Sequence, residues 1–178
     1  MPADDLTPAV SDQDHTLGLA SVPVTLVQYG DYECPFTAGS HWQMALLLKN
    51  YPKQFRFVFR HFPLLKRHLF AMRAAEAVEA ASAQGKFWEM HDALLKQEYA
   101  LGWESLREAA QALKLDLPRF EKEVLDHKHR PRIQQHLDGG MRSGVASTPS
   151  YFLNGAFYEG PDSYDDFAAV IEKVTASK

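Results

Sequence analysis

The chain's single cysteine, Cys34, stands in the run Tyr29-Gly30-Asp31-Tyr32-Glu33-Cys34-Pro35-Phe36-Thr37. A cysteine held as thiolate attacks disulfides and electrophiles, so its setting decides whether it does chemistry. Upstream, Val24-Thr25-Leu26-Val27-Gln28-Tyr29 alternates and is rich in β-branched residues, which predicts a strand. Downstream, Met44, Leu47, Leu48 and Tyr51 recur at the spacing of a buried helical face. The sulfur therefore sits on the turn between a strand and a helix. Pro35 fits the first helical position, where its missing N–H costs nothing. There the sulfur meets unpaired backbone N–H groups and the positive end of the helix dipole, which favour a thiolate. The competing reading is a small buried hydrophobe; the strand–turn–Cys-Pro–helix setting weighs against it.

Other polar residues offer less. Asp31 and Glu33 flank Cys34, are expected to be solvated, and oppose the helix terminus. His41 lies two turns along the helix, too far for a Cys–His pair. His61 and His68 frame the loop after the second strand, and His127-Lys128-His129 forms a polar helix end. With one cysteine and no metal-site spacing of carboxylates and histidines, no metal site is expected. Tyr32, Phe36 and Trp42 are candidates to line a groove near the sulfur, with Trp42 equally suited to the core.

The elements that position these residues follow in order. Residues 1–20 are polar, contain Pro2 and Pro8, and are expected to lie loosely over the surface. The first strand spans Val22 to Tyr29, and the helix opened by Pro35 stops before Pro52. Phe55-Arg56-Phe57-Val58-Phe59-Arg60 alternates apolar and basic residues as a second strand, giving a right-handed parallel βαβ unit. An Ala-rich helix from Phe70 ends at Gly85. Three more are marked by Phe87 to Leu95, by Leu106 to Leu113, and by Leu117 to Val124 with Asp116 as cap. A further helix starts near Pro131 and runs toward Gly144. Ser150 to Leu153 and Ala156 to Tyr158 flank Asn154-Gly155, the strongest local hairpin signal. Phe167, Val170, Ile171 and Val174 line a closing helix capped by Asp162 or Ser163. The fold class is α/β, a mixed four-stranded sheet with helices on both faces, arranged as an extension (1–20) and a single domain (21–178).

Length and composition narrow the function classes. A chain of 178 residues suits one domain with a sizeable core. A net charge of −4 gives no basic footprint, which argues against nucleic acid as a partner. No apolar run reaches the length of a membrane span. The acidic Met1-Pro2-Ala3-Asp4-Asp5 lacks the layout of a signal peptide, and a single cysteine excludes an internal disulfide. The expected compartment is the cytoplasm; a chain trimmed of an export signal would read the same way.

The strand, the Asp-Tyr-Glu-Cys-Pro turn, Thr148-Pro149, Arg56-Phe57-Val58-Phe59-Arg60-His61-Phe62-Pro63 and Gly85-Lys86-Phe87-Trp88-Glu89-Met90-His91 together resemble the DsbA-like branch of the thioredoxin superfamily. Thioredoxin-like protein-disulfide isomerases share the pattern, and the resemblance runs from about Asp14 to Val174. It implies a thioredoxin fold whose second and third strands are separated by an all-helical insertion, about residues 66–144. It also implies a cis peptide at Thr148-Pro149 beside the reactive sulfur, with the backbone of Thr148 open to pair with an extended substrate.

Two departures from the family shape the expected activity. Dithiol members carry Cys-x-x-Cys, and the second sulfur resolves the mixed disulfide; this chain has Thr37 there. A hydroxyl cannot do that work, although it can donate a hydrogen bond to the Cys34 thiolate. Many relatives also carry a buried acid six residues before the cysteine, where this chain has Gln28. With no resolving thiol there is no proton for such an acid to manage, so the two departures agree. The expected function is a monothiol thiol–disulfide oxidoreductase. Cys34 is its nucleophile and Thr37 assists. Pro35, Phe36, Thr148 and Pro149 contact substrate. No cofactor is expected to be tightly bound, glutathione is the expected co-substrate, and protein thiols or disulfides are the expected partners. The alternatives are a non-catalytic peptide- or protein-binding module on the same scaffold and, less favoured, a glutathione transferase-like enzyme.

Overall fold

A computed structural model describes residues 6–96 and 100–177. Its elements are β1 (His15–Leu17), β2 (Val24–Gly30), α1 (Pro35–Asn50), β3 (Phe55–His61) and α2 (Ala71–Ser82). They continue with α3 (Phe87–Leu95), α4 (Trp103–Ala112), α5 (Leu117–Leu125), α6 (Arg130–Arg142), β4 (Ser150–Leu153), β5 (Ala156–Tyr158) and α7 (Tyr164–Ala176). No helix among the described residues is long and apolar enough to cross a membrane.

The sheet order is β1-β3-β2-β4-β5. At its centre β2 runs parallel to β3, with Leu26 opposite Phe57, and antiparallel to β4, with Val27 opposite Phe152. Being covered on both faces, β2 reads as a nearly continuous apolar run. Leu26 belongs to the larger core with Met44 and Leu47 of α1 and Phe167 and Ile171 of α7. Val27 and Tyr29 face the opposite way into a smaller core with Leu137 of α6 and Phe62. The β4–β5 hairpin turns at Asn154 and Gly155, both at positive φ (49° and 91°), as an Asn-Gly turn of the primed type requires. Asp116 caps α5 by accepting the Arg119 N–H, and Ser163 rather than Asp162 caps α7, in a reciprocal capping box with Asp166.

The sheet has one strand more than the four expected. β1 pairs antiparallel with β3, placing His15 opposite Phe59. The segment before it is also tied down, against the expectation of a loose covering; residues 1–5 lie outside the described set. Leu6 is buried, and its N–H donates to the Gly155 carbonyl at 2.7 Å. The Arg60 guanidinium donates to both Asp14 oxygens at 2.8 and 2.9 Å and to the Pro8 carbonyl at 2.8 Å. A buried arginine on β3 needs acceptors, and this segment supplies them. Burial alone would raise the Asp14 carboxyl, but the bonds from Arg60 and the Ser11 N–H outweigh it and hold it below its ordinary value.

Candidate functional site

Cys34 is the N-cap of α1, with extended backbone (φ −80°, ψ 119°), and Pro35 takes the first helical position as expected. Its N–H donates to the Asp31 carbonyl at 3.1 Å, closing the turn out of β2. That turn is crowded: a Cβ on Gly30 would lie 2.5 Å from the Phe59 ring and 2.9 Å from Thr37 Cγ2. The side chain of Cys34 is 4% exposed, and Sγ donates to the Thr148 carbonyl at 3.2 Å. The Thr148–Pro149 peptide is cis. The sulfur and the residue before the proline, 114 positions apart, thus share one small site. Beside them Pro35 is exposed and Phe36 is 74% exposed.

Thr37 lies one turn into α1 and is fully buried. Its Oγ1 accepts the Asp31 N–H at 3.3 Å, and among the described residues no hydrogen bond joins it to Cys34. The carbonyl of Thr37 accepts from Ser40 Oγ at 2.9 Å. Ser40 Oγ in turn accepts from Gln28 Nε2 at 2.7 Å, and Gln28 also donates to the Tyr151 hydroxyl at 3.1 Å. Burial pushes the Tyr151 phenol up to about 12, although bonds to Ser40 and Gln28 pull the other way. An amide, two hydroxyls and a carbonyl therefore fill the space behind the turn, with no ionised group among them.

The expectation that Asp31 is solvated is overturned: it is 1% exposed. Its Oδ1 accepts the Glu33 N–H at 2.8 Å, a local Asx-turn. Its Oδ2 accepts the Leu64 N–H at 2.8 Å and lies 2.7 Å from His68 Nδ1. Glu33, half-buried, accepts the Phe70 N–H at 2.7 Å. These bonds fasten the 62–70 loop to the cysteine turn, and that loop carries the exposed Leu65, Leu69 and Phe70. An aspartate two residues before a backbone N–H at a turn is a readable Asx signal; the bonds to Leu64 and His68 have none. Trp42 is 58% exposed, so it lies outside the core. Tyr32 is buried rather than lining a groove, with its hydroxyl 2.9 Å from His91 Nδ1.

The histidines are gathered in ways their spacing does not announce. Glu79 Oε1 lies 2.8 Å from both His15 Nε2 and His61 Nε2 and accepts from Arg132 at 3.1 Å. Burial would raise the Glu79 carboxyl, but the bonds from His15 and His61 outweigh it and hold it far below the carboxylate range. His41 faces Asp92 and His91.

The Thioredoxin family model matches residues 10–173. Among curated proteins, the Na(+)/H(+) antiporter NhaA 3 of Salinispora tropica is 40% identical over 174 residues, which is 98% of this chain and 26% of that protein. NhaA 1 of Mycolicibacterium vanbaalenii is 33% identical over 97% of this chain and 28% of its own length. The chain thus spans about a quarter of the curated relatives it matches. Among solved structures, oxidised BdbD from Bacillus subtilis superposes with a TM-score of 0.82 at 20% identity, covering 98% of both chains. A thioredoxin-like oxidoreductase from Silicibacter pomeroyi gives 0.81 at 23% identity, covering 93% of this chain and 94% of that one. At these identities the likeness is one of fold.

Proposed function

Because the chain belongs to the thioredoxin family, we propose that it exchanges thiols and disulfides through Cys34 alone. The observation that carries this reading is the sulfur at the N-cap of α1 facing the Thr148 carbonyl, with no second cysteine in the chain. The Cys34 thiolate attacks one sulfur of a disulfide, forming a mixed disulfide and expelling the other sulfur as thiolate. An outside thiol such as glutathione then attacks the mixed disulfide and returns Cys34 to thiolate. Sulfur–sulfur bonds are exchanged and none is made or lost, so the cycle needs no further oxidant.

The Sγ–Thr148 bond supports a docking role for Thr148. In the thiol form the carbonyl accepts from Sγ. A thiolate or mixed disulfide has no such proton, so the carbonyl is released to accept from an extended substrate backbone. Pro35 and Phe36 form the exposed wall on the helix side. Thr37 holds the turn through Asp31 N–H, and swinging its hydroxyl toward the sulfur would stabilise the thiolate.

The test is incubation with oxidised glutathione followed by intact-mass measurement. One glutathione added to the native protein, and none to Cys34→Ser, is the expected result. A Cys34 that reacts with neither oxidised glutathione nor iodoacetamide until the chain unfolds would overturn the reading. That outcome would favour the second reading, a non-catalytic binding module, which the 4% exposure of Cys34 supports. In that case Cys34→Ser leaves partner binding unchanged. The relatives join an equivalent segment to a protein named as an antiporter, which makes a membrane antiporter a candidate partner. Co-purification of such a protein in a mixed disulfide with Cys34 is the corresponding check.

A further inference from the structure

Behind the cysteine turn, α1 and α3 meet around His41, His91 and Asp92. We propose that these three residues bind a divalent transition cation of the zinc class, through two imidazole nitrogens and one carboxylate oxygen. Their donor atoms lie within 4.8 Å of one another. His41 Nε2 is 3.4 Å from Asp92 Oδ1. That is long for a hydrogen bond between them. It is the spacing expected of neighbouring donors on a tetrahedral cation with bonds of about 2.0–2.2 Å, whose edges measure about 3.3–3.6 Å.

The groups that would orient His91 toward a cation are in place. His91 Nδ1 is engaged by the Tyr32 hydroxyl at 2.9 Å, which leaves Nε2 as the ligating atom. Metal-bound histidines ordinarily have their other nitrogen held in this manner, here as an Nδ1–H donating to the tyrosine oxygen. Phe87 stacks on the His91 ring at 5.7 Å and Trp88 meets it edge-on at 5.1 Å, fixing its plane. The three residues open onto a cavity of about 130 Å³ walled by Leu17, Met44, Phe57 and Trp88. A water fits there as fourth ligand. Lys96 Nζ, 3.8 Å from Asp92 Oδ2, approaches the carboxylate oxygen that the cation leaves free.

The neighbouring trio of His15, His61 and Glu79 is different in kind. Both histidine contacts there are hydrogen bonds of 2.8 Å to one oxygen, and the Arg132 guanidinium shares that oxygen at 3.1 Å. A cation would have to displace a cation already in place.

The experiment is isothermal titration of zinc chloride into chelator-stripped protein in the Cys34→Ser background, so that no thiolate competes. One equivalent bound is expected. Weakening of tenfold or more is expected in His41→Gln and in Asp92→Asn, and a similar loss in Tyr32→Phe. His127→Gln, removing an exposed imidazole, leaves binding unchanged. Asp92 and His41 lie near the surface, and metal-free melting curves matching the parent show that these variants fold. Cobalt substitution giving tetrahedral d–d absorption is a second readout. Absence of stoichiometric binding, or binding that survives both ligand substitutions, overturns the proposal.

Discussion

Asp31 shows what a single side chain does at this site. Buried and accepting from the backbone N–H groups of Glu33 and Leu64 beside His68, it leaves donors stranded if removed. Asp31→Ala is therefore expected to cost about 3 kcal/mol in urea unfolding, and Asp31→Asn, which keeps one acceptor oxygen but sets an amide N–H against a backbone N–H, a similar amount. A loss below about 1 kcal/mol for the alanine variant would mean that these bonds contribute little beyond their hydration. Thr37 and Gln28 were legible as substitutions for a resolving thiol and a buried acid. Their actual bonds, to Asp31 N–H and to Ser40 and Tyr151, run through partners that a linear pattern does not pair.

Among the elements, β2, β3 and the β4–β5 hairpin were readable because alternation and Asn-Gly are local signals, and the α1 start because Cys-Pro is one. β1 was not readable: three residues, His-Thr-Leu, carry no period, and their pairing is set by β3. The latch that accompanies β1, Arg60 to Asp14, spans 46 positions. Asp14→Asn removes the charge opposite a buried guanidinium and is expected to cost about 2–4 kcal/mol. It should also raise amide exchange in β1 before the rest of the sheet. Unchanged exchange in residues 15–17 would show that backbone pairing with β3 alone holds the strand. The grouping of His41, His91 and Asp92 was equally hidden, since it arises where two helices far apart in sequence pack together.

For the whole molecule, buried titratable groups set a pH limit on the acid side. His136 Nδ1 accepts the His61 N–H at 3.1 Å, so protonation would turn an acceptor into a donor facing a donor. Burial, with His61 next, lowers His136 to about 3. The unfolded chain takes up that proton near the ordinary histidine value of about 6.5. Its stabilisation is complete above that pH and declines as the pH falls toward about 3. Glu123 adds to the trend. Burial would raise it, but Lys128, His129 and Arg119 hold it at about 2, so its contribution is present above about 4.3 and is lost as pH falls through its folded value. Stability in chelator should thus drop from pH 6.5 downward, by at most about 1.4 kcal/mol per pH unit for each such group. His136→Asn should flatten the drop between pH 6 and 4, and an unaltered slope would exclude His136 as its source.

The fastening of the 62–70 loop has a consequence for recognition. Because Asp31 and Glu33 bind the loop's backbone, Leu65, Leu69 and Phe70 keep a fixed bearing on the sulfur. If Cys34 exchanges disulfides with peptides as proposed, the incoming peptide would meet a contour that is already ordered, and little conformational entropy would be spent on this side of the contact. Under that proposal, selectivity among peptides would rest on residence time more than on the rate of encounter.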